Sequence, residues 1–214
     1  MSFPSPIAEL RAVGARVGST TILRDVDLRI EPGDVVGLFG ANGAGKTTLL
    51  RILATLLVPD AGEGTVLGAA VDSSARIDVR RHIGLIGHVP GLYPELTLEE
   101  NLVFSARLDG RRADEARSAL DQVGLTRAAG RPAAACSHGM QRRAEFAREL
   151  MRMPALLLLD EPHSALDAAA AELVTSLVAG VADAGGAAVV VSHDRERVEK
   201  LATRTVELAA GTLA

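Results

Sequence analysis

Cysteine, tryptophan and aromatic residues are scarce or absent in this sequence of 214 residues. There is one cysteine, Cys136, and no tryptophan. A single thiol excludes a disulfide within the chain and indicates a reducing compartment. Aromatic residues make up only 2% of the sequence, so we expect a core built from Ala, Val, Leu and Ile.

Long apolar runs are also missing, although a membrane-spanning helix needs about 20 apolar residues. The longest runs, such as residues 155–159, have the length of buried strands. The first ten residues have neither a basic start nor an apolar core, which a secretory signal would have. We therefore expect a soluble, cytoplasmic chain that would need a partner for any role at a membrane.

An excess of basic residues is absent as well. Lys and Arg number 23 against 27 Asp and Glu, which gives a formal net charge of −4. This balance argues against a surface that neutralises nucleic-acid phosphates, and we expect no nucleic-acid partner. Hydrophobic residues make up 48%, as in folded proteins, and the length predicts one domain over residues 1–214.

Strand and helix patterns alternate along the chain. Short strands are predicted before residue 35, and apolar runs then predict buried strands at 35–39, 156–159 and 187–191. Further strands are predicted at 83–86 and 205–208. Helical patterns occupy about 46–57, the stretch from Thr97, 112–123, 137–153, 168–182 and 195–201, and residues 59–68 predict a turn region. Thr97 and Glu100 have the spacing of a capping box. The alternation predicts an α/β fold with a doubly wound, mostly parallel sheet, into which a helical subdomain is inserted at about residues 97–153.

A glycine-rich loop follows the strand predicted at 35–39. It reads Gly40-Ala41-Asn42-Gly43-Ala44-Gly45-Lys46-Thr47, which is the phosphate-binding pattern of Gly, four residues and Gly-Lys-Thr. Backbone N–H groups and the N-terminus of the next helix, which includes Thr48, would face anionic oxygens. We expect Lys46 to pair with the β- and γ-phosphates of ATP and the Thr47 hydroxyl to bind Mg²⁺. The alternative, a simple Gly-rich turn, is disfavoured by the strand before it and the helix after it.

The Leu-rich run at residues 156–159 is followed by two adjacent carboxylates. Asp160 lies at the predicted end of the strand, where a carboxylate can hold Mg²⁺ through water. Glu161 follows directly and can act as the base that deprotonates an attacking water. The run alone is a modest signal, but it gains weight some 115 residues after the phosphate loop.

Residues 136–143 read Cys-Ser-His-Gly-Met-Gln-Arg-Arg and resemble the Leu-Ser-Gly-Gly-Gln signature of the ABC-transporter ATPases. The resemblance covers essentially the whole chain. It implies the ABC-ATPase fold, with an N-terminal antiparallel β part, and a homodimer that hydrolyses ATP with Mg²⁺. It also implies that the signature contacts ATP bound by the opposite copy, through Ser137, His138, Gly139 and Met140. An ordinary helix N-cap at Ser137 is the alternative.

Two further segments resemble motifs of the same family. Residues 164–167, Ser-Ala-Leu-Asp, are similar to the family's D-loop, which implies that Asp167 lies at the dimer interface. Residues 189–194, Val-Val-Val-Ser-His-Asp, are similar to its switch region, which implies that His193 contacts the γ-phosphate. The resemblance further implies integral membrane subunits as partners and a peripheral location at the inner face of the cell membrane.

The chain departs from the family pattern at two positions. His88 stands where the family usually has Gln, whose carbonyl oxygen suits the hard cation Mg²⁺. Because imidazole suits softer metals, we expect His88 to contact Mg²⁺ through water or to contact only the attacking water. Val17 stands where the family often has an aromatic residue that stacks on adenine, and it can offer apolar contact only.

Residues 87–92, 96–97 and 100–104 are similar to the heme-exporter ATPases of cytochrome c maturation. Drug and lipid exporter ATPases share parts of this pattern and remain alternatives. A non-transport ABC ATPase acting on DNA or ribosomes is disfavoured by the single cassette, the single cysteine and the acidic balance. Glu161 and His193 argue against an inactive nucleotide-binding regulator, whereas His88 and Val17 keep that alternative open.

The remaining charged residues and the cysteine have plainer interpretations. We expect the charged side chains of the helix after Ser137 to form a solvated surface; they are Arg142, Arg143, Glu145, Arg148, Glu149 and Arg152. Cys136 is interpreted as a small buried residue.

Overall fold

The computed structural model describes residues 4–163 and 168–213, with the backbone alone for 168–170. The strands are β1 Ala8–Val17, β2 Thr20–Ile30, β3 Val35–Phe39, β4 Ala61–Val66, β5 Ala69–Ala70, β6 Ile83–Ile86, β7 Leu156–Asp160, β8 Ala187–Val191, β9 Arg204–Ala209 and β10 Thr212–Leu213. The α-helices are α1 Lys46–Leu53, α2 Leu98–Leu108, α3 Ala113–Gln122, α4 His138–Arg152, α5 Ala168–Asp183 and α6 Arg195–Leu201. Three 3₁₀ helices span Ser74–His82, Thr126–Ala128 and Ala133–Ala135.

The N-terminal strands form an antiparallel sheet of four strands in the order β2-β1-β4-β5. Its inward side chains alternate with exposed ones, as in β2, where Leu23, Val26, Leu28 and Ile30 are buried. The prediction of a turn at residues 59–68 is wrong, because β4 lies within it. Gly64 of β4 lies so close to β1 that a Cβ there would be 2.5 Å from the Glu9 carbonyl oxygen.

A second sheet has six strands in the order β10-β9-β3-β8-β7-β6. β3 lies between β8 and β9 and pairs in parallel with both, and β7 pairs in parallel with β8. Every residue of β3, β7 and β8 is buried. Continuous apolar runs are typical of parallel strands covered on both faces, and the predicted α/β fold class is confirmed.

Helix α1 ends at Leu53, four residues before the predicted end. Thr55 has a φ of 58°, a left-handed conformation that a helix cannot continue through. The Thr55 side chain is fully buried, and its hydroxyl donates to the Arg76 carbonyl at 3.0 Å. The helix therefore stops where Thr55 turns into the interior.

The described residues divide into two compact units. The first comprises residues up to 85, 154–162 and those from 178 onward, and the second comprises 86–153 together with 163–177. The prediction of one domain with an insertion at residues 97–153 stays a prediction. Among the described residues no helix has the length and apolar character needed to cross a bilayer.

The second unit has its own core, formed by α2, α3 and α4. Leu98, Leu102, Leu120 and Ala144 lie within it and are at most 1% exposed. The predicted capping box at the start of α2 is confirmed: the Thr97 hydroxyl accepts from the Glu100 N–H, and the Glu100 carboxylate accepts from the Thr97 N–H. The cap fixes the start of α2 and the path of the chain before it.

Candidate functional site

The loop of residues 40–47 joins β3 to α1 in the first unit. Its glycines are required by close packing: a Cβ on Gly40 would lie 2.3 Å from the Leu208 carbonyl oxygen, and one on Gly45 would lie 2.7 Å from the Leu23 side chain. Both residues also have positive φ, 147° and 107°, which L side chains rarely adopt. The loop conformation therefore depends on glycine at these two positions.

The N-terminus of α1 is open toward this loop. Its N-cap, Gly45, makes no side-chain capping bond, and the first turn contains no acidic residue. The positive end of the helix dipole is therefore not neutralised from within the helix, as an anion site requires. The Lys46 ammonium lies across the loop and donates to the carbonyl oxygens of Gly40 at 2.7 Å and Ala41 at 3.0 Å.

Thr47 and Asp160 come together although 113 residues separate them. The Thr47 hydroxyl donates to the Asp160 carboxylate at 3.0 Å. Asp160 is 8% exposed at the carboxyl end of β7. A hydroxyl and a carboxylate are hard oxygen donors of the kind that Mg²⁺ prefers, so these two side chains fit the metal that accompanies ATP.

Glu161 and His193 follow the neighbouring parallel strands β7 and β8. The His193 Nε2 lies 3.3 Å from the Glu161 Oε1, and the His193 backbone N–H donates to Oε2 at 3.3 Å. Glu161 has a φ of 52°, and its own N–H donates to the Val191 carbonyl. The carboxylate is thus held at the edge of the sheet by the His193 backbone N–H, and the His193 ring lies beside Oε1, which makes no hydrogen bond within the described residues.

Helix α4 begins at the predicted signature, in the second unit. Ser137 is its N-cap, and the Ser137 hydroxyl accepts from the Met140 N–H at 3.3 Å. Ser137 and His138 are exposed, whereas Gly139 and Met140 are half-buried. The expected N-cap is therefore present, and the side chains of Ser137 and His138 are open to solvent in the described part of the chain.

The prediction of a solvated charged surface on α4 is wrong. Arg142 and Glu149 are fully buried, and Glu145 is 1% exposed. Glu145 pairs with Arg142 at 3.0 Å, and burial raises the pKa of Glu145 above its ordinary value despite a hydrogen bond from the Gly91 N–H. Charges spaced three and four residues apart suit an exposed helix face. Here the charged side chains of α4 instead bind one another and the backbone of residues 87–91, within the second unit.

An open groove of about 280 Å³ lies in the second unit beside this helix. Its exposed apolar side chains include Tyr93, Phe104 and Leu108, and the rings of Tyr93 and Phe104 meet edge to face at 5.3 Å. Asn101 is 5% exposed and fixes the chain next to it by accepting from the Tyr93 N–H at 2.7 Å. The groove is lined by Gly91, Leu92, Tyr93, Asn101, Phe104, Ser105, Leu108, Asp109, Arg148 and Arg152.

Comparison with known proteins relates this geometry to a family. The family model described as "ABC transporter" matches residues 23–164. The chain belongs to the ABC transporter family. A search of solved structures adds the ATP-binding subunit of an ABC transporter at a TM-score of 0.89 and 26% identity, covering 97% of this chain and 88% of that one. A dimeric, post-hydrolysis ATP-binding cassette bound to ADP and Pi matches at a TM-score of 0.87 and 28% identity, covering 96% of both chains.

Two relatives of this chain carry names that give opposite directions of transport. The "Cytochrome c biogenesis ATP-binding export protein CcmA 2" of Cupriavidus metallidurans is 40% identical over 191 residues, which cover 88% of this chain and 90% of the relative. The "Aliphatic sulfonates import ATP-binding protein SsuB 1" of Xanthomonas axonopodis pv. citri is 38% identical over 214 residues, which cover 96% and 83%. The chain is thus an ABC ATPase with export and import relatives of similar identity.

The ABC ATPase structure brings together some of the predicted site residues. Lys46, Thr47, Asp160, Glu161 and His193 lie in the first unit, at the carboxyl ends of its parallel strands. Val17 lies in the same unit at the end of β1 and is 64% exposed. The second unit contains exposed His88 and the signature residues, whereas Asp167 lies outside the described residues.

One contact of the ABC ATPase site was missed from the sequence. Glu161 and His193 were each predicted, but their direct contact was not. The available signal was that each residue lies two positions after an apolar run read as a buried strand. Side chains after adjacent parallel strands meet at one sheet edge, but the sequence does not say which strands are adjacent.

Proposed function

We propose that the chain binds ATP with Mg²⁺ at residues 40–47 and hydrolyses it with Glu161 as the general base. The contact between Glu161 and His193 at 3.3 Å, beside the Thr47 and Asp160 pair, carries this proposal. Thr47 and Asp160 would hold Mg²⁺, directly and through water. The ion would neutralise phosphate charge in the transition state.

The phosphate loop supplies the remaining contacts in this proposal. The Lys46 ammonium would exchange the Gly40 and Ala41 carbonyls for the β- and γ-phosphates. Backbone amides of residues 41–48 would face the phosphates, because the α1 N-terminus is open and favours anions. His193 would orient Glu161 and reach the γ-phosphate.

Glu161→Gln tests the catalytic assignment. An amide keeps the shape of the side chain but cannot accept a proton, and general-base catalysis contributes about 10²- to 10⁴-fold to rate. We expect phosphate release to fall by at least about a hundredfold, while ATP binding persists and an ATP-bound dimer accumulates on size exclusion.

Glu63→Gln is the control, because Glu63 is an exposed carboxylate of the same unit. It should leave phosphate release unchanged. Phosphate release from Glu161→Gln at the rate of the unmodified chain would exclude Glu161 as the base.

The proposed active form is a homodimer with two ATP molecules between the copies. Ser137, His138, Gly139 and Met140 of one copy would contact the ATP held by the other copy's loop. The exposed N-cap at Ser137 supports this role, and the structural relatives include dimeric cassettes. We place Asp167 at the interface in the same proposal, and His88 near the attacking water.

The proposed membrane partner is an integral membrane subunit whose cytoplasmic segment occupies the groove around Tyr93. Exposed apolar side chains around a concave surface are typical of interaction sites. Tyr93 is 55% exposed, Phe104 43% and Leu108 73%. This interaction would place the chain peripherally at the inner face of the membrane.

The double substitution of Leu92 and Tyr93 by Asp tests this docking site. Two carboxylates in an apolar interface would be desolvated without partners, so co-purification with the membrane subunits should be lost. Ile77→Asp is the control, since Ile77 is 53% exposed in the first unit. Complex formation by the double variant at the level of the Ile77→Asp control would refute the groove as the docking site.

The proposed cargo is heme, exported during cytochrome c maturation. Several relatives at 37–40% identity carry cytochrome c biogenesis export names. Import of small anions is the second candidate, because the sulfonate importer is 38% identical over a longer stretch. Heme-stained c-type cytochromes should disappear from a deletion strain and return with the intact gene but not with Glu161→Gln. Normal cytochromes in the deletion strain would favour the import candidate.

A further inference from the structure

The backbone of residues 87–91 is held at both of its ends by side chains of α4. Arg142 donates through Nη1 to the Gly87 carbonyl at 2.6 Å and through Nη2 to the His88 carbonyl at 3.2 Å. At the other end, the Gly91 N–H donates to Glu145 Oε1 at 2.8 Å. The Gly91 carbonyl in turn accepts from Arg148 Nη1 at 3.0 Å.

Two of the α4 side chains in these contacts are shielded from water, whereas His88 and Gly91 lie at the surface. Arg142 is fully buried and Glu145 is 1% exposed, and the two side chains pair with each other at 3.0 Å. Hydrogen bonds between charged groups and backbone are short and strong when buried. A displacement of residues 87–91 relative to α4 would take from the buried Arg142 and Glu145 the backbone partners that satisfy them, which is unfavourable for buried charged groups.

One donor of this cluster has no partner. The buried Nε of Arg142 makes no hydrogen bond within the described part of the chain. A buried donor without a hydrogen bond lowers stability, and a functional role of the side chain is one explanation for retaining it.

Residues 87–91 and α4 lead to two different predicted contact sites, the groove and the signature. The loop contains His88 and runs into the groove at Gly91 and Leu92, whereas α4 begins at the signature N-cap, Ser137. A rigid connection between them makes the groove and the signature move together within the second unit.

We propose that Arg142 and Glu145 are positioning residues that couple the occupancy of the groove to the orientation of the signature helix. The inference rests on the proposed function. Coupling between two sites is reciprocal. ATP binding that engages the signature must therefore also change the hydrogen exchange of residues 88–96, which lead into the groove. This reciprocal effect can be measured without the membrane partner.

The test is hydrogen–deuterium exchange of the intact chain, with and without ATP and Mg²⁺, in the Glu161→Gln background that prevents turnover. In the parent chain ATP should slow exchange in peptides from the phosphate loop. It should also slow exchange in peptides from residues 88–96, by at least about fivefold. Glu145→Met, which fills the volume but removes the acceptor for the Gly91 N–H, should abolish the second effect and keep the first.

Two variants separate coupling from structural damage. Glu145→Gln keeps an acceptor for the Gly91 N–H and should restore ATP-dependent slowing at residues 88–96. Glu115→Met is the control: Glu115 belongs to the same unit, but its carboxylate pairs with Arg111 and accepts from the Arg112 N–H. It should behave like the parent chain.

Arg142→Lys provides an independent route should Glu145→Met not fold. Lysine keeps the charge but lacks the planar fork that reaches two carbonyls, so the effect at residues 88–96 should again be lost. Persistence of that effect in Glu145→Met or Arg142→Lys, its equal loss in Glu115→Met, or its absence from the parent chain would overturn the coupling. Absence of slowing at the phosphate loop itself would instead refute the proposed nucleotide site.

Discussion

At the residue scale, the backbone of Glu161 is in a region that side chains rarely adopt. Its φ of 52° costs about 1 kcal/mol or more for a non-glycine residue. The conformation is maintained by a hydrogen bond to Val191 and by the contacts with His193. Strain of this kind is typical of sites where a side chain must point in one direction, as a general base must.

The sequence predicted the chemistry of single residues better than their surroundings. Lys46, Thr47, Asp160 and Glu161 follow from local motifs, because phosphate and metal binding demand particular residue types at short spacing. Arg142 and Glu145 were misinterpreted, because a charge pair three residues apart looks the same on an exposed and on a buried helix face. Only the residues packed against α4, far away in the sequence, decide between the two.

In the proposed site Val17 is the residue that would contact the base, and it is 64% exposed. Base–aromatic stacking is worth about 1–3 kcal/mol, and valine can replace only part of it. We expect GTP to be hydrolysed within about tenfold of ATP, a gap of only about 1.4 kcal/mol. Val17→Tyr should lower the KM for ATP in steady-state kinetics.

Ser19→Tyr serves as the control for Val17→Tyr, because it adds the same ring at another exposed position beside β1. It should leave the KM unchanged. A preference of the unmodified chain for ATP beyond about a hundredfold, or about 2.7 kcal/mol, would show that another residue recognises adenine.

At the scale of elements, the capping box of α2 sets the edge of the groove. Thr97→Ala removes an acceptor for the Glu100 N–H and should lower the free energy of unfolding by about 1 kcal/mol. Hydrogen bonds from the Thr97 N–H and hydroxyl lower the pKa of Glu100. The stabilisation by the ionised Glu100 is present above the ordinary pKa of glutamate and is lost as the pH falls through the lowered pKa. The difference in unfolding free energy between Thr97→Ala and the unmodified chain should therefore shrink in acid.

Urea unfolding at neutral and acidic pH measures both effects. The control is Thr175→Ala, because Thr175 is exposed within α5 and its hydroxyl donates only weakly, at 3.4 Å, to Ala171. Its substitution should be neutral or slightly stabilising, since alanine favours helix. An equal loss in both variants would mean that the box contributes nothing.

Elements with long apolar runs were predictable, whereas β4 was not. Residues 61–66 read Ala-Gly-Glu-Gly-Thr-Val, and two glycines in six residues normally argue against a strand. The segment is nonetheless a strand because it pairs with β1, and at Gly64 that pairing leaves no room for a side chain. Tertiary contacts of this kind are not visible in the local sequence.

At the scale of the whole molecule, each ATP site should draw residues from two copies of the chain. Lys46→Ala and Ser137→Arg should each inactivate the homodimer. In a mixed dimer, one site combines an intact Lys46 with an intact Ser137. Mixing the two variants in equal amounts should restore about a quarter of the original ATPase rate, because half the dimers are mixed and each has one working site.

The control mixture contains Lys46→Ala and Glu161→Gln. These residues belong to the same unit of one chain, so no combination of copies assembles an intact site. This mixture should remain inactive in the same phosphate-release assay. Normal hydrolysis by Ser137→Arg alone, or no recovery in the first mixture, would contradict the shared site.

The position of β3 between β8 and β9 has a consequence for biosynthesis. Roughly 150 residues separate the end of β3 from the start of β8, and at about 5–20 residues per second a ribosome needs roughly 7–30 s to add them. For that time an apolar strand is outside the ribosome without its neighbours, exposed to aggregation and to chaperones. A nascent chain released before β8 would carry the whole phosphate loop and still be unable to hold a nucleotide.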